Sequence, residues 1–248
     1  MTGPQPRLSL VVPSFNEALR IEATLQRLGE FLASQSYETE LLLVDDGSDA
    51  QGREANQRAV DALPVKVAHT LLRHETNRGK GAAVRPGCLA AGGRYVAFID
   101  ADLATPPEEL LPLVAALEAG ADVAIGIRTQ RDGSDMRNQR PLMRRLAGKA
   151  FALAMRLLVL PDVSDSQCPL KAFSQESAQR LFRLQRIDTW AFDAELLYLS
   201  KRLGLTVAKI PVHWQAVAGS HLRLNLKTAR ELLNLLRIRW THRGVSAK

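Results

Sequence analysis

At 248 residues and 46% hydrophobic, the chain is long enough for one large α/β domain and short for two. Its net charge of +7 is uneven: residues 128–160 carry eight Lys/Arg against two acids, and residues 220–248 carry seven against one. Such concentration points to an anionic partner, a phosphate, nucleic acid or an anionic bilayer, or else to two solvated helix faces. Cys88 and Cys168 form no CxxC pair and have no nearby His, which argues against zinc and a disulfide framework and suits a reducing cytosol. No run reaches the roughly 18 apolar residues of a membrane span, so membrane contact is expected to be peripheral, on the cytoplasmic face.

The first half alternates strand and helix signals. Residues 8–12 read as a buried strand ended by Pro13, and Asn16 reads as the cap of a helix with Ile21, Leu25, Leu28 and Leu32 on one face. Strands are predicted at 40–44, 65–71, 95–99 and 121–127, and helices at 51–63, 79–91 and 107–118. Pro86 is expected to kink the 79–91 helix or shift its start. This alternation predicts an α/β fold with a mostly parallel sheet covered by helices, and ligands beyond the carboxyl ends of the strands. The acidic residues fall at those ends: Asp45-Asp46 after one strand, Asp100 and Asp102 after another.

The second half is richer in helix. Residues 141–160 read as a helix with an apolar stripe at Leu146, Ala150, Leu153 and Leu157 and basic residues on another face. An irregular stretch follows at 165–170, then helices at 176–184 and 192–203 and a strand at 207–212. Residues 222–240 close the chain as a helix, with Leu226, Ala229, Leu233, Leu236 and Trp240 on one side.

Three local features carry chemistry. Two carboxylates two residues apart at a strand end, Asp100 and Asp102, either converge on one hard divalent cation that bridges diphosphate oxygens or serve as turn and helix-capping aspartates. Asp45-Asp46-Gly47-Ser48 either accepts hydrogen bonds from a base and ribose or forms a tight turn. The turn Asn77-Arg78-Gly79-Lys80-Gly81 can offer N–H groups and a Lys to an anion, although it is not a Walker A loop. The segment Pro13-Ser14-Phe15-Asn16 is not the Gly-rich, basic loop a nucleotidyltransferase needs after its first strand. The basic segments lack aromatics for base stacking, so nucleic acid is not expected as a partner.

Together with Val11-Val12-Pro13-Ser14-Phe15-Asn16-Glu17, these runs resemble the donor half of glycosyltransferase family 2. Ile125-Gly126-Ile127-Arg128, Asp165-Ser166-Gln167-Cys168, the run from Trp190 to Leu196, Pro211-Val212-His213-Trp214 and Gly219-Ser220 resemble its dolichyl-phosphate glucosyl- and mannosyltransferase branch. The resemblance covers roughly residues 8–225. It implies a single GT-A domain over 1–248, with a donor-binding half at 8–127, an acceptor half at 128–225 and a basic C-terminal helix and tail at 226–248.

It also implies roles. Pro13, Phe15, Glu17, Asp45, Asp46, Lys80 and Ala101 would line the nucleotide-sugar site. Asp100 and Asp102 would hold Mg²⁺ or Mn²⁺, Arg128, Arg144 and Arg145 would grip an acceptor phosphate, and Ser220 and His221 would close over the donor. The implied reaction is inverting transfer of one hexose from a nucleotide-sugar, UDP-glucose before GDP-mannose, to a polyprenyl phosphate. A saccharide or other hydroxyl acceptor would instead need a base, for which Asp165 and Asp193 stand ready. A homodimer through the last helix is an open alternative. The sequence departs from the branch at Ala104, where mannosyl members carry Gln, at Pro169-Leu170 in place of Gly-Phe, and at His221 in place of Lys. The Gln-x-x-Arg-Trp signature of processive synthases is missing, which implies one sugar per turnover.

Overall fold

The computed structural model describes residues 5–128, 165, 168–215 and 226–246, with only the backbone described for 226–232. It is a seven-stranded sheet in the order β3-β2-β1-β4-β6-β5-β7. The strands are β1 (Leu8–Ser14), β2 (Thr39–Asp45), β3 (Ala68–Arg73), β4 (Tyr95–Phe98), β5 (Val123–Ile127), β6 (Lys171–Ser174) and β7 (Val207–Pro211). Its helices are α1 (Ile21–Ala33), α2 (Ala50–Asp61), α3 (Lys80–Ala90), α4 (Leu110–Glu118), α5 (Gln175–Leu184), α6 (Phe192–Arg202) and α7 (Leu226–Thr241).

The sheet is parallel except at β6, which runs antiparallel to both β4 and β5. The sequence reading missed β6. It is four residues long and opens on a lysine, Lys171, which is fully buried, so neither length nor hydropathy marks it. Pro13 does not end β1 as expected, since the strand runs on to Ser14. Alternation along a parallel strand turns Pro13 toward β4, and that ladder already ends at Val11 and Phe98. A missing N–H costs nothing there.

Both sheet faces are covered, giving three layers. One core lies under α1, α2 and α4 and contains Ile21, Leu25, Leu28 and Leu32, the predicted α1 face. The other lies under α3, α5, α6 and α7 and holds Phe98, Phe173, Phe182 and Phe192. Its rings lie 5.4 to 6.2 Å apart between centroids, stacked for Phe98–Phe173, tilted for Phe98–Phe192 and edge-on for Phe173–Phe182. α3 sits close on the sheet because Gly87 has no side chain: a Cβ there would lie 2.5 Å from Val11 Cγ1. α3 continues through Pro86, which was expected to disturb it.

β1 is the switch point. The chain steps outward from β1 through β2 to β3, then returns to β4 on the other side of β1. In open α/β sheets such a point leaves a crevice beyond the strand ends. The turns after β1, β2 and β4 all open there, bringing residues 15–20, 45–49 and 99–104 together.

Candidate active site

The turn after β4 holds the carboxylate pair. Ile99 N–H donates to Val11 O at 3.1 Å, which carries the chain one residue past the strand. Leu103 then takes the left-handed conformation (φ 47°), and its N–H donates back to Asp100 O at 3.2 Å. Thr24 Oγ1 on α1 donates to Ala101 O at 2.7 Å and pins the turn. Ala101, expected to line the donor site, instead buries its methyl in the core. Its small side chain and its carbonyl both serve the turn.

The Asp102 carboxyl accepts the Ala104 N–H at 3.1 Å. Its pKa is raised, first by burial and then by the like charge of Asp100. Two neighbouring carboxylates, one of them held against its own ionisation, fit a divalent cation. Among the described residues no third His, Cys, Asp or Glu joins them. Such a site suits an ion that takes its remaining oxygens from a diphosphate and water.

Lys80, the first residue of α3, faces this pair. Its ammonium lies 2.6 Å from Asp100 Oδ1. It sits 5.0 Å from the Trp190 ring centroid, 5.8 Å from Phe98 and 5.9 Å from Phe192. Burial works against its charge, but Asp100, Asp193 and Asp102 outweigh burial and raise its pKa.

Behind Lys80 lie two further ion pairs. Lys171 Nζ is 2.6 Å from Asp193 Oδ1 and also donates to Cys168 O at 2.8 Å, all of it buried. Arg128 grips Asp165 through Nε at 2.8 Å and Nη2 at 2.5 Å, adds its own backbone N–H at 2.9 Å, and lies 5.5 Å over the Trp214 ring. Asp165 and Asp193, kept as bases for a hydroxyl acceptor, are therefore both engaged with buried cations. Arg128, expected to grip an acceptor phosphate, turns its fork onto Asp165. Cys168 beside them is free and buried, its thiol pushed up to about 11, first by burial and then by Asp165.

The turn after β2 differs from expectation. The Asp46 carboxylate is 3% exposed as a residue and takes His74 Nδ1 at 2.7 Å, Asn77 Nδ2 at 2.9 Å, Gly79 N at 2.7 Å and Arg78 N at 3.1 Å. The anion cradled by the Gly-rich turn is thus Asp46 itself, and that carboxylate is committed inside the protein. Gly79 adopts φ 114°, and a Cβ there would lie 2.5 Å from Asp188 O, so the turn accepts only glycine. Asp45 Oδ1 accepts the Ser48 N–H at 2.9 Å, while its buried Oδ2 has no partner among the described residues.

Asn16 does not cap α1, which begins at Ile21. It takes the left-handed conformation (φ 54°), donates its N–H to Ser48 Oγ at 3.0 Å and accepts the Asp49 N–H at 2.9 Å. These bonds join the β1 and β2 turns into one rim. On that rim Phe15 stands 45% exposed, and Glu17 pairs with Arg20 at 2.8 Å.

Sequence reasoning assigned no role to Trp190, Glu195 or His242. Buried Glu195 accepts the N–H groups of Arg186 and Ile187 at 2.8 and 2.9 Å and meets His242 Nε2 at 2.6 Å. Asn234 Nδ2 donates to Thr189 Oγ1 at 3.0 Å. Together they dock α7 onto the loop that carries Trp190 to the mouth of the site. The signal was present in the Trp190–Leu196 run, but periodicity alone does not show that its acids turn inward. Arg144, Arg145, Ser220, His221 and the predicted 141–160 helix lie outside the described residues.

The sheet has a GT-A-like order with a carboxylate pair beside its switch point, an arrangement found in glycosyltransferases. The model of the family described as "Glycosyl transferase family 2" matches residues 9–182, and the chain belongs to this family. It is 30% identical over 246 residues to a dolichyl-phosphate beta-glucosyltransferase of Dictyostelium discoideum, covering 95% of this chain and 74% of that one. It is 34% identical over 234 residues to the Drosophila melanogaster protein of the same name, covering 89% and 70%. Among solved structures, glucosyl-3-phosphoglycerate synthase from Mycobacterium tuberculosis with Mn²⁺, UDP and glucosyl-3-phosphoglycerate superposes with a TM-score of 0.67. That match has 20% identity and covers 98% of this chain and 82% of that one. The same enzyme with Mg²⁺ and UDP gives the same TM-score at 20% identity, covering 98% and 81%.

Proposed function

We propose that the chain transfers one glucose from UDP-glucose to a polyprenyl phosphate, with inversion, giving a β-linked lipid-phosphate sugar. The observation that carries this reading is the similarity to dolichyl-phosphate beta-glucosyltransferases along about nine-tenths of the chain. The burial of Asp165 and Asp193 in ion pairs supports it independently. A hydroxyl acceptor needs a base beside the anomeric carbon, whereas a phosphate monoester, with a second pKa of about 6, is already largely dianionic at pH 7.

In this reading Asp100 and Asp102 hold Mg²⁺ or Mn²⁺, which when bound neutralises charge on the leaving diphosphate. Phe15, Pro13 and Glu17 line the nucleotide from the β1 turn. Asp46 shapes the adjoining loop from inside. Arg144 and Arg145 act on the acceptor phosphate, and Arg128, held by Asp165, stays inside the protein. In-line attack on an α-linked donor then leaves a β product.

The membrane side of the proposal rests on α7. Leu235 and Ile238 are buried, while Leu233, Leu236 and Trp240 are 66%, 51% and 69% exposed on the opposite side. Arg237, Arg239 and Arg243 are exposed around them. A helix with outward apolar residues flanked by arginines suits an anionic bilayer surface. No helix among the described residues is long and apolar enough to cross a membrane.

Competition calorimetry with Mn²⁺ and a panel of UDP-glucose, GDP-mannose and UDP-N-acetylglucosamine tests the donor. Tightest binding of UDP-glucose is expected. Preference for GDP-mannose would replace glucose by mannose and leave the rest of the proposal standing.

A further inference from the structure

The contact between Lys80 and Asp100 bears on how the site loads. Among the described residues, three buried cations near the carboxylate pair each hold a carboxylate: Lys80 holds Asp100, Lys171 holds Asp193 and Arg128 holds Asp165. Lys80 is the cation on the carboxylate pair itself, and its side chain is only 8% exposed.

We propose that Lys80 is a resident counter-ion that a divalent cation must displace from Asp100, and that the nucleotide diphosphate supplies the anion on which Lys80 then settles. This rests on the reading of Asp100 and Asp102 as the cation site. A divalent ion arriving alone meets an occupied carboxylate, and an ammonium driven off Asp100 would be left among Phe98, Trp190 and Phe192 without a carboxylate of its own, since Asp193 nearby already holds Lys171. Removing one partner from such a pair is costly. When the diphosphate arrives with the ion, the carboxylates take the metal and the ammonium takes a phosphate oxygen, so every buried charge keeps a partner. Cation and nucleotide diphosphate therefore bind with positive coupling, and by linkage each raises the other's affinity by the same factor. Lys80 is a positioning residue for loading as well as a diphosphate contact.

Mn²⁺ binding followed by electron paramagnetic resonance, with and without UDP, tests this without any turnover. Wild-type protein is expected to bind Mn²⁺ at least about tenfold more tightly when UDP is present. Lys80→Met keeps the apolar stem among the three rings and removes the charge. The variant leaves Asp100 open, so Mn²⁺ binding without UDP is expected to tighten about tenfold and the coupling to fall toward unity. Unchanged or weaker Mn²⁺ binding by the variant without UDP overturns the proposal. If neither protein binds Mn²⁺ even with UDP, the cation site itself is wrongly placed and both readings fall.

A second measurement needs no variant. The ¹⁵N-labelled lysine ammonium signals of the wild type are expected to include one protected resonance that moves when Mg²⁺ and UDP are added together and stays when Mg²⁺ is added alone. A resonance that moves fully with Mg²⁺ alone contradicts the displacement.

Discussion

The Asp46 carboxylate accepts the Gly79 N–H at 2.7 Å, and this bond closes the turn after β2 onto the turn that opens α3. Arg78 and Asn77 add their N–H groups to the same carboxylate. Asp46→Asn keeps the size of the side chain but replaces a charged acceptor with one that is neutral and half donor. Hydrogen bonds to charged groups are worth more than neutral ones, so the loss is expected at about 1.5–3 kcal/mol in urea unfolding. A variant of unchanged stability with a raised donor KM would show instead that Asp46 faces the nucleotide.

Arg128 and Asp165 separate two mechanisms. Asp165→Ala leaves a buried guanidinium without its carboxylate, a change expected to cost about 3–5 kcal/mol of stability. Were Asp165 also a general base, the variant that remains folded would in addition lose about 10²–10⁴ in single-turnover rate. Thermal unfolding and single-turnover rates on the same preparation decide between them. The same pair of measurements applies to Asp193, which holds Lys171.

Asp102 gives a prediction with a definite sign in pH. Its carboxyl is raised above the ordinary 3.8 by burial and by Asp100. The folded protein therefore holds this proton at a pH where the unfolded chain has released it. The favourable contribution is complete below 3.8 and is lost as pH rises through the raised value. At pH 7 the cation-free protein thus carries an unfavourable charge that Asp102→Asn removes. In chelator the variant is expected to be the more stable by roughly 0.5–2 kcal/mol. Mn²⁺ with UDP should raise the melting temperature of wild type and leave the variant unmoved. A variant that melts lower in chelator would contradict the strained carboxylate pair.

For α7, replacing Leu233, Leu236 and Trp240 by Ser should leave the fold intact, because all three point away from the core. Partition onto vesicles containing anionic lipid is expected to fall about tenfold or more. Binding of wild type should also weaken in high salt, since the flanking arginines act over roughly one Debye length of about 10 Å at 0.1 M. Equal partition of both proteins would remove α7 as the contact surface.

Much of the first half is legible in the sequence because the central strands β1, β2 and β4 are buried and carry short apolar runs. The acids at the strand ends are legible for the same reason: they mark where those runs stop. What the sequence concealed is pairing. Nothing in Asp45-Asp46-Gly47-Ser48 says that Asp46 turns inward to its own Gly-rich loop, because its partners lie some thirty residues on. Lys171 was missed because a lysine argues against a central strand unless its buried partner, Asp193, is already known. The outward face of α7 was read as a stripe, but which way the stripe points depends on Glu195 and Thr189 holding His242 and Asn234.

Transfer of label into lipid tests the central claim most directly. Purified protein would be incubated with a C55 polyprenyl phosphate, Mn²⁺ and radiolabelled UDP-glucose, beside an Asp102→Ala variant, and the organic phase counted. The account predicts organic-phase glucose from wild type, lost in the variant and released by mild acid as expected of a lipid-linked sugar phosphate. Donor binding without any label in the organic phase would contradict the lipid-phosphate acceptor.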